Sequence, residues 1–294
     1  MRGMAKSSPS LFSSTVVPEI SCVYAATVPL PFSLGTFVRA AQRFIDEHLA
    51  PVWGVEARLR VRRKTRDGAW ALVFVDTEDQ ASADGWHDLT RRGMPLAKVF
   101  LRVLAREVRE NSTVKESAAA FRDAVSLTAT HEIAEMLVDP AVTLCVQRAG
   151  FGLYALEVAD PCEEDGFRID GFQMTDFVYP AWYETFHAPG STTFDECGKC
   201  RQPFQILRDG YASIYRKSRW RDRCGSKAKR KRFRKEDRSG HRTLQRKRAS
   251  GLKRSTTVSG REVRVVREVR KVRKVRKVRK VRKVRKVRKV RKVR

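Results

Sequence analysis

Thr128-Ala-Thr-His-Glu-Ile-Ala-Glu-Met-Leu-Val-Asp-Pro140 is the stretch on which the reading of this chain turns. Phe121, Val125, Ala129, Ile133 and Leu137 recur every four residues, and Ala124, Leu127, Ala134 and Val138 cover a second side. The helix expected here is therefore apolar over most of its circumference, as buried helices are. It nevertheless carries His131, Glu132 and Glu135, and burying charge without a partner is costly. His131 and Glu135 stand at i and i+4 on one face, with Cβ atoms about 6 Å apart, while Glu132 lies roughly a quarter turn from His131. A divalent cation would supply the missing partner. His131 and Glu135 would be its ligands, and Glu132 would be free to take a proton from a water that the cation activates. The pattern is His-Glu-x-x-His with the second His replaced by Glu. The competing reading is a surface His/Glu pair on an ordinary helix, worth a few tenths of a kcal/mol.

Neighbouring segments favour the metal. Asp139-Pro140 stops the helix one turn after Glu135. Beyond it comes a second acidic cluster, Leu156-Glu-Val-Ala-Asp-Pro-Cys-Glu163, from which Glu157 or Asp160 can supply a third ligand.

His131-Glu-Ile-Ala-Glu-Met-Leu-Val-Asp-Pro140, then Glu157-Val-Ala-Asp-Pro-Cys-Glu163, then Asp170-Gly-Phe-Gln-Met-Thr-Asp-Phe-Val-Tyr-Pro-Ala-Trp-Tyr183, together resemble a group of mostly uncharacterised phage and bacterial proteins. That group shares a His-Glu-x-x-Glu helix with zincin-like metallopeptidases and carries a later Glu-x-x-Asp-x-Cys. The resemblance spans residues 20–215. It implies an α+β, zincin-like metallopeptidase domain, a mixed sheet with a central metal-binding helix. It also implies Zn²⁺ on His131 and Glu135, with Glu157 or Asp160 completing the set and Glu132 as general base. A peptide or protein would be the substrate. Cys197-Gly-Lys-Cys200 departs from that group, which carries apolar residues here.

The net charge of +29 is unevenly spread. Residues 216–294 hold 39 Lys and Arg against 5 Asp and Glu, leaving residues 1–215 net −5. We accordingly expect a flexible, Ser-rich leader over 1–18, one domain over 19–215 and a disordered basic tail over 216–294. The leader lacks the apolar core of a signal peptide. No apolar run is long enough for a membrane span. Six scattered cysteines do not make a secreted disulfide framework, which points to an intracellular, reducing compartment; with the resemblance, that implies the cytoplasm of a bacterial or phage-infected cell, or a virion.

Within the domain, Glu19 to Leu30 reads as a strand, and Thr36 to Leu49 as an amphipathic helix ended by Pro51 and Gly54. Glu56–Arg63 and Trp70–Asp76 read as strands joined in a hairpin across Thr65-Arg-Asp-Gly68. Asp84 to Pro95 reads as a loop, Leu96 to Arg106 as a strand, and the central helix is expected to begin near Ser117. A last strand just before that helix would set a sheet edge beside the site, where a substrate could add as a strand. His87, in the preceding loop, could reach the cleft or simply be solvated.

Asp160-Pro-Cys-Glu-Glu-Asp165 concentrates carboxylates that could equally be solvated or bind calcium, and Cys162 is read as structural. Tyr179 and Trp182 are candidates for lining the cleft, with the Tyr179 hydroxyl offered to a developing oxyanion. Cys197 and Cys200 suggest a redox pair or half a zinc ribbon, but no second Cys-x-x-Cys accompanies them. Residues 203–215 read as a closing hairpin.

From Arg270 to Val293 the unit Arg-Lys-Val repeats eight times. A period of three builds no fixed apolar face on helix or strand, so the tail should be disordered in isolation. Lys229, Arg230, Lys231, Arg232, Arg234 and Lys235 head a run suited to non-specific nucleic-acid binding; the competing reading of the repeat is a coding-level expansion without a role. The expectation is a zinc-dependent hydrolase. The alternative is a non-enzymatic phage or prophage structural protein with a structural or vestigial metal and a nucleic-acid-binding tail.

Overall fold

The computed structural model describes residues 17–79, 83–111, 113 and 117–235. The leader expected over 1–18 lies outside them apart from Val17 and Pro18, and the Arg-Lys-Val repeat lies outside entirely. Every described residue belongs to one compact unit.

The first half of the described chain builds a mixed sheet. Strand β1 (Glu19–Tyr24) leads to helix α1 (Leu34–Arg43), which continues through a π-helical turn at Phe44–Leu49 into α2 (Ala50–Trp53). Pro51 does not end this helix; it falls directly after the π-helical turn, where the helical hydrogen-bond ladder is already shifted. Gly54, at φ 64°, ends it.

Strands β2 (Arg58–Arg62) and β3 (Trp70–Val75) follow, but they do not form the expected hairpin. Both pair parallel to β1, one on each side of it. The burial pattern explains the choice. β1 and β3 are largely buried, whereas β2 exposes four of its five residues, so the apolar β1 takes the interior position and β2 the rim.

Residues expected to be a loop form β4 (Gly85–Leu89), which runs antiparallel to β5 (Pro95–Phe100). The strand expected to reach Arg106 stops at Phe100, where helix α3 (Leu101–Asn111) begins and buries Leu101, Val103 and Leu104. Helix α4 (Ser117–Val138) starts where expected and buries most of its C-terminal two-thirds. The sheet order is β2-β1-β3-β5-β4, with β4 the one antiparallel member and an edge.

The second half adds smaller pieces: β6 (Cys145–Arg148), β7 (Gly152–Ala155), β8 (Gly166–Ile169), β9 (Phe172–Thr175), β10 (Tyr211–Arg216), β11 (Arg219–Cys224) and α5 (Lys227–Lys235). An antiparallel sheet runs β11-β10-β7-β6, and β8 and β9 form a separate hairpin. Helix α4 packs against β4, β5 and β9. Thr130 Oγ1 accepts a hydrogen bond from Thr175 N at 3.0 Å, which anchors β9 to the helix.

The fold is thus mixed α+β. The body does not close at 215, because the hairpin falls at 211–224 rather than 203–215 and α5 follows it. Arg219, Arg221 and Arg223 alternate with Trp220, Asp222 and Cys224, a strand period masked by basic composition. Among the described residues no helix is long and apolar enough to cross a membrane.

One carboxylate ties the top of the sheet together. Asp76, just after β3, accepts hydrogen bonds from Thr27 N, Thr27 Oγ1 and Val28 N at 2.7–2.9 Å. These bonds to the charged form hold its pKa down to about 2, from an ordinary 3.8. Its contribution to stability is complete above the unfolded value and disappears as pH falls through the folded one. Denaturation midpoints of the parent and Asp76→Asn should therefore differ most above about pH 5 and converge between about pH 4 and 2; a constant difference across that window would contradict this role.

A candidate metal centre

Helix α4 projects His131, Glu132 and Glu135 into the space between β4 and the segment carrying Glu157 and Asp160. His131 Nε2 lies 3.3 Å from Glu135 Oε1 and 3.5 Å from Asp160 Oδ1. Asp160 opens a 3₁₀ turn, Asp160–Cys162, that is fastened to the helix because its backbone N–H donates to Glu135 Oε1 at 3.3 Å. From the other side β4 supplies His87. Its Nδ1 is 3.4 Å from Glu132 Oε2 and 3.5 Å from Glu135 Oε2, and its Nε2 is 3.5 Å from Glu157 Oε2. Two potential metal-binding triads result, His131–Glu135–Asp160 and His87–Glu132–Glu135, and they share Glu135.

Four carboxylates and two imidazoles are thus packed together. His87 is fully buried, and the His131 side chain, 12% exposed, is the most accessible member. Burial alone would lower the His131 pKa, but the adjoining Glu135 and Asp160 carboxylates reverse this and hold it well above an ordinary imidazole. Burial, reinforced by Glu135 and opposed by His131, pushes Asp160 well up. Protons thus stand in for positive charge that the cluster otherwise lacks. Glu132 Oε2 is buried and makes no hydrogen bond. Imidazole and carboxylate donors at these spacings suit Zn²⁺ and its harder neighbours.

Sequence reasoning brought together His131, Glu132, Glu135, Glu157 and Asp160, and the structure places all five in one cluster. Of the two candidates for third ligand, Asp160 stands on His131 and Glu157 on His87. His87 is no solvated loop residue. It faces α4 from strand β4, and the signal was the alternation of Gly85, His87 and Leu89 along one strand face.

Tyr179 is engaged elsewhere. Its hydroxyl donates to Glu196 Oε2 at 2.6 Å, and His48 Nδ1 meets the other oxygen of that carboxylate at 2.7 Å. It is therefore not an oxyanion donor for this cluster. Trp182 is fully buried, with Nε1 donating to Gln205 O, and it lines no cleft.

Of the basic residues proposed for nucleic acid, Lys229 is 4% exposed and paired with Glu163 at 2.6 Å, so it is an internal counter-ion. Arg232 approaches Glu164 at 3.7 Å, while Arg230, Lys231 and Arg234 are exposed.

No known protein family, curated protein or solved structure matches this chain.

Gly85 is what allows β4 to lie this close to α4. A Cβ there would stand 2.8 Å from Lys98 O, 2.9 Å from Thr128 Cγ2 and 3.0 Å from Glu132 Oε1. Gly85→Ala should cost about 1–3 kcal/mol of stability through overpacking. Gly35→Ala, near the start of α1 and with its nearest contacts at 3.9 Å, should be neutral or stabilising. Urea denaturation checks the pair, and equal effects would contradict the close approach.

Proposed function

We propose that the chain is a zinc-dependent hydrolase of zincin-like type, acting on a peptide bond, with His131, Glu135 and Asp160 holding the metal. The observation that carries this reading is the triad itself: His131 and Glu135 on a buried helix and Asp160 on a separate turn bring their donor atoms within 4.8 Å of one another, and Glu132 follows His131 on the same helix. The cation would supply Lewis acidity. The chain's own residues supply the rest. Glu132, with a buried oxygen that makes no hydrogen bond, accepts the proton from the attacking water and returns it to the leaving group. Glu157, against His87 Nε2, fixes the imidazole so that Nδ1 faces Glu132 and Glu135. The edge strand beside this helix is β4 and not, as expected, the last strand before it, since β5 lies inside the sheet; β4 still offers an edge to which a substrate could add as a strand.

Metal analysis of the full chain tests it. His131→Ala and Glu135→Ala should each lose the zinc held by this triad. Glu132→Gln should keep it and lose turnover of a fluorogenic casein by about 10²–10⁴-fold. Unchanged turnover in Glu132→Gln would sink the catalytic role while leaving the metal in place.

Two observations favour a second, non-enzymatic reading, a phage-type structural protein that contacts nucleic acid. The proposed ligands Glu135 and Asp160 are 2% and 4% exposed, a degree of closure suited to a structural ion. Separately, β10, β11 and α5 line a cavity of about 710 Å³ with Arg216, Arg219, Arg221, Arg223 and Arg230, opposed by Asp222. That lining suits a phosphate backbone. If it binds one, Arg219→Ala, Arg221→Ala and Arg223→Ala combined should flatten the salt dependence of duplex DNA binding by about two to three units of log–log slope. An unaltered slope would remove the cavity from the interface.

A further inference from the structure

We propose that Cys162, Cys200, Asp195 and Asp176 form a second metal site, a structural zinc centre that braces the turn presenting Asp160. The Cys162 and Cys200 thiols and an Asp195 carboxylate oxygen lie within 4.8 Å of one another. All three residues and Asp176 are buried: Cys162, Asp195 and Asp176 completely, Cys200 to 3% exposure. They arrive from separate places. Cys162 closes the Asp160–Cys162 turn, Asp176 follows β9, and Asp195 lies in an isolated bridge with Val178. Cys200 ends Asp195-Glu-Cys-Gly-Lys-Cys200, in which Gly198 turns the chain at φ 65°.

The two carboxylates are held in place by backbone amides. Lys199 N and Cys200 N donate to the two Asp195 oxygens, both at 2.9 Å. Phe177 N and Cys197 N donate to Asp176 Oδ1 at 2.8 and 3.0 Å. This is the outer-shell support that ligating carboxylates receive. The remaining Asp176 oxygen, Oδ2, is buried and makes no hydrogen bond. Lys199 could have neutralised the pair, but its ammonium is turned to Asp165. The Asp176 carboxyl faces that of Asp195 within hydrogen-bonding reach, and both act on the Cys162 thiol; two such buried carboxylates beside two thiols need either a shared proton or a cation, and Zn²⁺ accepts four such donors tetrahedrally. A Cys162–Cys200 disulfide would use both sulfurs and leave the carboxylate pair without positive charge.

The consequence for the first cluster is positional. Asp160 and Cys162 share one turn, and the loop beyond Cys200 closes on that turn: Leu207 N donates to Pro161 O at 3.0 Å. Gly210 lies so near that a Cβ there would stand 2.2 Å from the same oxygen. An ion on Cys162 would fix the turn from below. The proposal does not depend on the hydrolase reading, since it stands whether or not the first triad holds metal.

The test uses the full chain carrying Glu135→Ala, which removes the ligand shared by both triads of the first cluster. Zinc at one equivalent per chain should remain, should disappear in Cys162→Ser and Cys200→Ser, and should persist in Cys145→Ser. As a check independent of the folding of the serine variants, the unsubstituted chain is also loaded with Co²⁺, which should give a thiolate-to-cobalt charge-transfer band in the near ultraviolet. No zinc in the Glu135→Ala chain, zinc indifferent to both serine variants, a cobalt spectrum without that band, or peptide mapping of a Cys162–Cys200 disulfide would each overturn the proposal.

Discussion

Most of this structure answers to one electrostatic constraint, the burial of Glu132, Glu135, Glu157 and Asp160 against only two imidazoles. An excess of buried negative charge is tolerable only with protons, hydrogen-bond donors or a cation, and the surrounding chain is arranged accordingly. The Asp160 amide turns toward Glu135. Gly85 lets the strand carrying His87 approach Glu132. Asp139, at the helix end, takes the amides of Thr143 and Leu144, which starts the return path toward Glu157. Each feature would be wasted in a helix that merely packed. Together they hold the donors on three separate segments at spacings that a single ion could draw together.

The parts of this arrangement legible in the sequence were the local ones. Helix α4 could be read from Ser117 to its stop at Asp139-Pro140, because four-residue periodicity and a proline stop are properties of one segment. The pairing of His131 with Glu135 followed from the same geometry. Non-local choices were not legible. Asp67-Gly68 has the chemistry of a hairpin turn, yet β1 inserts between the two strands it joins, since the largely buried β1 gains from an interior position and the exposed β2 loses little at the rim. His87 was hidden because its strand is short and is followed by Arg91-Arg-Gly-Met-Pro95, which reads as irregular chain. Cys197-Gly-Lys-Cys200 lacked context along the sequence because its distant companions, Cys162 and Asp176, approach it only in space.

Charge distribution along the chain misled in a more instructive way. The acidic run 160–165 looks like a single solvated loop, but the fold divides it. Asp160 joins the His131 triad, Glu163 and Glu164 meet Lys229, and Asp165 meets Lys199. Lys229 comes from a segment whose composition matches the basic run after it, and its stem is buried with the ammonium 5.1 Å from the centre of the Phe233 ring. Structure among the described residues therefore continues past the change in composition near 216, because Lys229 and Arg232 find acids and Lys229 and Phe233 find aromatic rings to pack against. A segment of uniform charge can fold when the rest of the domain holds the opposite charge in a fixed place. Here that place is the acidic stretch immediately following Asp160 and Cys162, so the packing of α5 also bears on the turn that serves both clusters.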